Sequence, residues 1–393
     1  MSSVVPEGWS RQKLGDYLIP RPKSKLPSGE SNPLGYYDFY VCSHKVLKSF
    51  HNEYSSPSIL FSTGGEASVH LATERYAFST DVWATEFEGE ICNEYVFRLL
   101  EENISTINYS GFQGSGIKHL DKSFIEKLEF SIPPLPEQKK IASILTSVDE
   151  VIENTQKQID KLQDLKKATM NELLTKGIGH TEFKDSELGR IPEKWVIAEF
   201  GDYFTKLSSG MTPSRSKPDY FNGNIPWVTS GELDYNIITS TRENISEQAV
   251  KDTNLKVYPP GTIFIAITGL EAAGTRGRCA ILGVPSTVNQ SCMAFPVNPD
   301  IDSTFFFQNY LLRGEQYAFK YSQGTKQQSF NAEIVKKLPI LIPPLSEQKK
   351  IASILTSIDK TIEEKQRKLH QTQSLKKSLM QDLLTGKVRV TVN

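Results

Sequence analysis

The residues EQKKIASILTS begin at Glu137 and begin again at Glu347. An internal repeat constrains a fold more than any single motif, because each copy must find equivalent surroundings. The match extends from Ile132–Asp149 to Ile342–Asp359, where sixteen of eighteen residues agree, and returns in LKKATMNELLT from Leu165 and LKKSLMQDLLT from Leu375. A second echo lies upstream. VPEGWSRQKLGDY starts at Val5 and IPEKWVIAEFGDY at Ile191. That offset is 186, against 210 for the first, so similar ends enclose two middles, the second 24 residues longer.

The repeated ends read as long helices. Pro133-Pro134 and Pro343-Pro344 mark their starts, since proline breaks a helix interior. Apolar residues then recur in steps of three and four. The first copy gives Ile141, Leu145, Val148, Ile152, Ile159 and Leu162, with Thr155 in the gap. The second gives Ile351, Leu355, Ile358, Ile362 and Leu369, with Lys365 in the gap. Leu165, Leu173, Leu375, Leu379 and Leu383 extend the stripes. Gly177 and Gly386 are the expected stops. Helices of ~40 residues span ~60 Å. A helix that long with one narrow seam needs a partner. The other copy is the nearest one, and a pseudo-twofold pairing of the two makes them antiparallel. The alternative is two amphipathic helices, each lying on its own globular neighbour.

The middles, residues 10–131 and 196–341, are rich in aromatic and β-branched residues with frequent turn signals, as expected of compact α+β domains with mixed sheets. Strands are expected over residues 262–268 and in PSILFSTGG and IPWVTSGEL. Helices are expected near residues 94–102 and 304–321. Trp9 and Trp195 occupy matching domain starts and read as packing anchors, and Phe305–Phe307 as core. The expected division is 1–134 and 179–344 for the globular parts, with helical spacers at 135–178 and 345–393.

Loops in both middles are polar and basic. The first offers Arg21, Lys23, Lys25, His44, Lys45, Arg75, Lys118 and His119; the second offers Arg215, Lys217, Tyr220, Arg276, Arg278, Lys326, Gln327 and Gln328. Arg, Lys and Gln can pair with base edges or hold phosphates. A single such residue reads as a solvated loop charge; the set, on two matched domains, points to nucleic acid. His51 and His70 receive no role. With 45 Lys and Arg against 46 Asp and Glu, the chain has no global basic field, so any such binding must be local.

Other classes find little support. No apolar run approaches membrane-spanning length, and the N-terminal residues do not resemble a secretory leader. Four scattered cysteines suit a reducing, cytoplasmic setting and neither a zinc site nor a disulfide framework. No phosphate-loop, zinc-protease or nucleophile-elbow motif occurs, and IPPL stands where an amino-methyltransferase would carry N-P-P-Y. A recognition module is therefore expected rather than an enzyme. A coiled-coil adaptor with two protein-binding heads, or an enzyme with an unrecognised site, stays open on periodicity alone.

PPLPEQKKIASILTSVDEVIE and LKKATMNELLT, with their second copies, resemble the two recurrent regions of specificity subunits of Type I restriction-modification systems. KLSSGMTPSRSKPDYFNGNIPWVTSGELD from Lys206, GTRGRCAILGVPSTVNQSCMAF from Gly274 and STDVWATEF from Ser79 resemble parts of their target-recognition domains. The resemblance implies two globular α/β target-recognition domains separated by two long helices forming an antiparallel coiled coil. It implies that each domain reads one half of a bipartite site in double-stranded DNA, and that the helices set the spacing. The implied partners are two modification (methyltransferase) subunits and two ATP-dependent restriction subunits. S-adenosylmethionine, ATP and Mg2+ belong to those partners, and this chain carries no cofactor of its own.

Overall fold

The structure, a computed structural model, describes residues 5–272, 274–324 and 327–392. Its contacts divide it into two compact units, Met1–Lys157 with Gln366–Asn393, and Gln158–Lys365. The two long helices, Leu135–Lys176 and Leu345–Leu384, each contribute to both units. Each follows a Pro-Pro pair and stops at a left-handed glycine, Gly177 at φ 68° and Gly386 at φ 69°. A side chain would be strained at either stop.

In the first unit a four-stranded antiparallel sheet has the order Leu18–Pro20, Val82–Phe87, Ser58–Ser62, Val69–Ala72. A three-stranded sheet joins Leu47–Ser49, Tyr37–Tyr40 and Tyr76–Phe78, the last two parallel. The strand Ser10–Lys13 pairs antiparallel with Glu129–Ile132, closing the domain just before the first long helix. The second unit repeats the plan on a larger scale. Its five-stranded sheet has the order Ser208–Ser209, Cys292–Phe295, Ile263–Ala266, Cys279–Leu282, Asn236–Ile238, the last pair parallel. A smaller sheet joins Asn244–Ile245, Ile225–Val228 and Thr287–Val288. Val196–Glu199 closes against Pro339–Ile342. Both sheet systems are mixed, as expected, and the strand expected over 262–268 is Ile263–Ala266. The expected helices are Asn93–Glu102 and Ser303–Tyr321.

The duplicated sequence is explained by what it holds. In the first unit Gln138 donates to Pro133 O (2.8 Å) and Glu90 O (3.1 Å) and accepts from Cys92 N–H (2.8 Å). In the second, Gln348 donates to Pro343 O (2.9 Å) and accepts from Asp302 N–H (2.9 Å). Both glutamines are 1% exposed, and each fastens the start of a long helix to the segment just before a helix of its own domain. The neighbouring glutamate does a second job. Glu137 takes both Arg389 nitrogens, Nε and Nη2, at 2.8 Å each. Glu347 takes Ile178 N–H (2.9 Å), His180 Nε2 (2.8 Å) and Trp195 Nε1 (3.2 Å). In each unit, then, the glutamate that opens one long helix binds the segment that follows the other.

That arrangement makes the two helices antiparallel wherever they meet. In the first unit Lys376 Nζ lies 2.8 Å from Asp149; in the second, Lys166 Nζ lies 2.6 Å from Asp359. The Asp and Lys positions are 210 residues apart in both cases, so the same pair is formed twice with partners exchanged. Arg98 adds to the first pair at 2.5 Å from Asp149, and Gln308, 210 residues on, adds to the second at 3.1 Å. The first unit's core takes in Ile141, Leu145, Met380, Leu383 and Leu384. The second's takes in Met170, Leu174, Ile351 and Leu355. Trp9 and Trp195 are buried at the helix starts, and Phe305–Phe307 in the second core. Further along the seam Ile159 and Ile362 are buried, as is Thr155. Val148, Ile152, Leu162, Ile358 and Leu369 are half-buried.

Leu165 and Leu375 depart from expectation. Both are 52% exposed. Continuing the stripe by a second step of three rotates a residue well off the face, because 3.6 residues make a turn. The stripe instead continues through the half-buried Lys166 and Lys376 and the buried Met170 and Met380.

Candidate nucleic-acid interface

Backbone pairing gathers the loops of the first unit at one end of its strands. Thr80 N–H donates to Leu26 O (2.8 Å) and Ser79 N–H to Tyr40 O (2.9 Å). Gly65 N–H donates to Lys118 O (2.9 Å) and Leu120 N–H to Thr63 O (3.1 Å). The segments carrying Lys23 and Lys25, His44 and Lys45, and Lys118 and His119 therefore converge, and all six side chains are exposed. Half-buried His70 bonds Ser43 O at 2.8 Å and so braces the loop bearing His44. Burial pushes its pKa below the usual histidine value. Arg21 borders the same end but is engaged, with Nη2 2.6 Å from Glu86. Arg75 lies apart from this group, before the strand Tyr76–Phe78 and so at the opposite end from Ser79.

The second unit has the same convergence. Ile267 N–H donates to Ser291 O (2.9 Å), Phe330 N–H to Ile267 O (2.9 Å) and Leu270 N–H to Gln328 O (3.1 Å). Lys118 and Gln328 thus hold corresponding places, 210 residues apart. Arg278 and exposed Gln327 share this end, with half-buried Gln328. Several other candidates are already occupied. Arg276 donates to Leu270 O and Glu271 O at 2.8 Å each, which holds its own loop together. Arg215 grips Glu243 with both terminal nitrogens (2.5 and 2.7 Å) while its guanidinium lies 4.2 Å from the Phe221 ring centroid. That pairing holds the Glu243 carboxyl below its usual range and raises Arg215. Lys217 donates to Tyr220 Oη (2.8 Å), which donates to Asp252 (2.5 Å), on the side away from the converging loops. Lys326 lies outside the described residues.

The strand-end surface also includes residues that a search for loop charges passes over. Thr63, Thr80 and Lys122 stand there in the first unit. In the second, Thr212 donates to Gln290 Oε1 (2.5 Å). Tyr235 is 46% exposed at φ 57°, with its hydroxyl donating to Arg276 O (3.1 Å). A left-handed backbone is uncommon for tyrosine. The signal for Gln290 was available, since it lies 210 residues beyond Thr80.

Among the described residues no group of His, Cys, Asp or Glu is arranged to hold a metal ion, and no helix is long and apolar enough to cross a membrane. The surface presents cations, amides and hydroxyls, which suit hydrogen bonding to phosphates and base edges, together with the carboxylates of Glu66, 3.8 Å from His44, and Glu271, which accepts from Gln328 N–H (2.9 Å).

The sequence profile of the Type I restriction modification DNA specificity domain matches residues 6–164 and 192–372. The Type I restriction enzyme MjaVIII specificity subunit of Methanocaldococcus jannaschii is 29% identical, over 98% of this chain and 94% of that protein. The Type I restriction enzyme EcoDI specificity subunit of Escherichia coli is 22% identical, over 88% and 80%. Among solved structures, the S subunit of a Type I restriction-modification system from M. genitalium superposes with a TM-score of 0.68 at 15% identity, over 98% of both chains. A chain from a structural study of complex assembly and conformational transition of the type I R-M system gives 0.56 at 16%, over 98% of this chain and all of that one.

Proposed function

The chain belongs to the Type I restriction modification DNA specificity family, and from that premise we propose that it is the DNA-reading subunit of such a complex, supplying the address and not the chemistry. Each unit reads one half of a bipartite duplex site. The two long helices set the distance between the half-sites and dock two modification subunits. Two restriction subunits complete the nuclease. S-adenosylmethionine, ATP and Mg2+ enter with those partners, and the complex works in the cytoplasm.

One observation carries this reading: two units share a frame down to single hydrogen bonds yet present different loops at the same strand ends. A shared frame with variable loops is what two readers of different sequences require. The reading surfaces are those around Lys23, Lys25, His44, Lys45, Lys118 and His119, and around Arg278, Gln327, Gln328 and Gln290. Arg21, Arg215, Arg276, Lys217 and Tyr220 shape their loops through the partners described above, and Arg75 stands apart. Joining two weak readers makes the second contact intramolecular and raises affinity without new contacts.

Mapping methylated adenines in the host genome, with the gene present and deleted, tests the assignment. A split sequence methylated only when the gene is present is expected; an unchanged map contradicts it.

A further inference from the structure

The first unit contains a cavity of about 240 Å³ at its strand-end surface. Arg21, Lys23 and Lys122 line it with Thr63, Thr80 and Trp83, and no Asp or Glu is among the lining residues. Lys122 Nζ sits 5.1 Å from the Trp83 ring centroid. Arg21 is fixed from behind by Glu86 through Nη2 at 2.6 Å. Three cations and the Thr80 hydroxyl in one concavity suit a tetrahedral oxyanion.

We propose that this cavity seats one phosphate group of the DNA backbone, giving the first unit a charge clamp that the second lacks. The inference rests on the DNA-reading assignment and adds to it a sequence-independent anchor in one half only. The positions 210 residues beyond Thr80, Trp83 and Lys122 are Gln290, Met293 and Ala332. Ala332 opens the short helix Ala332–Lys336 as Lys122 opens Lys122–Glu126. The second unit therefore keeps the local fold and omits the Lys122 charge. Contacts of this kind fix register on the duplex without choosing bases.

The test uses the assembled complex with its modification subunits and a duplex bearing its own site. Phosphates flanking the half-sites are replaced one at a time by neutral methylphosphonates. In the wild type one replacement beside the first unit's half-site weakens binding about tenfold. In a Lys122→Gln variant, a change at an exposed position, most of that penalty disappears. The salt dependence of log K falls by about one, and the methylated sequence is unchanged. A penalty that persists in the variant, or an unaltered salt slope, overturns the proposal. Calorimetry with inorganic phosphate at fixed ionic strength is the second arm. Lys122-dependent binding of free phosphate, with the DNA penalty untouched, assigns the seat to free phosphate and likewise overturns it. Selectivity for the site over random duplex, measured on the same complex, separately reports the DNA-reading assignment. Its loss sinks that assignment, whereas retained selectivity with an unaltered slope sinks the phosphate seat alone.

Discussion

The two units differ least where they touch the long helices and most where their strands end in loops. At the helix starts the paired residues are the same: Gln138 and Gln348, Glu137 and Glu347, Asp149 with Lys376 and Asp359 with Lys166. At the strand ends the first unit offers exposed lysines and histidines, one of them, His44, 3.8 Å from Glu66. The second offers glutamines, a tyrosine and arginines mostly engaged by their own surroundings. The difference teaches that the frame is held by buried polar contacts that tolerate little change, while the loops hang from backbone hydrogen bonds that almost any side chain permits. Address can therefore vary without disturbing assembly.

The largest effect expected is on the DNA sequence itself. Replacing residues 196–341 with the corresponding middle of another family member should change one methylated half-site completely and leave the other as it was, read by mapping methylated adenines. A change in both halves would break the comparison by showing that the readers are coupled.

The next effect concerns the sameness of the frames. Leu145 and Leu355 are 0% exposed at equivalent positions. Leu145→Ala and Leu355→Ala should each cost about 2–5 kcal/mol, the usual range for a large core side chain cut to alanine. Denaturant unfolding of the two variants should give similar losses. A cost in one alone would show that the two cores are not equivalent.

A smaller effect separates the glutamate contacts. Hydrogen bonding and charge from Arg389 hold the Glu137 carboxyl below its usual 4.5. A carboxylate with a depressed folded pKa contributes stability that is present above the unfolded value and lost as pH falls through the folded one. Glu137→Gln should therefore cost about 1–3 kcal/mol at neutral pH and flatten the loss of stability below about pH 4.5. Thermal unfolding across pH 3–7 checks this; an unchanged acid limb contradicts it.

Much of the frame was legible because its signals are local. Prolines mark helix starts, glycines mark stops, and steps of three and four expose a seam. The direction of pairing followed from the repeat itself. The exposed Leu165 and Leu375 were not legible, since Leu165 follows Leu162 by three and Leu375 precedes Leu379 by four, and only the accumulated rotation moves them off the face. The candidate surface was half legible. Loop charges can be read from sequence, but whether a charge is free cannot. Arg215 depends on Glu243, 28 residues on, and Arg276 on carbonyls of its own turn. Those partners are set by how loops fold back, which carries no period. The pocket between Arg21 and Lys122 joins segments a hundred residues apart and was invisible for the same reason.

Inserting four residues after Gln156, with four more at the facing level of the second helix after Arg367, bears most directly on the claim that the helices measure distance. Each insertion adds about 6 Å of helix. The account predicts that the methylated half-sites keep their sequences while the gap between them grows by one or two base pairs. An unchanged gap, or altered half-sites, would contradict it.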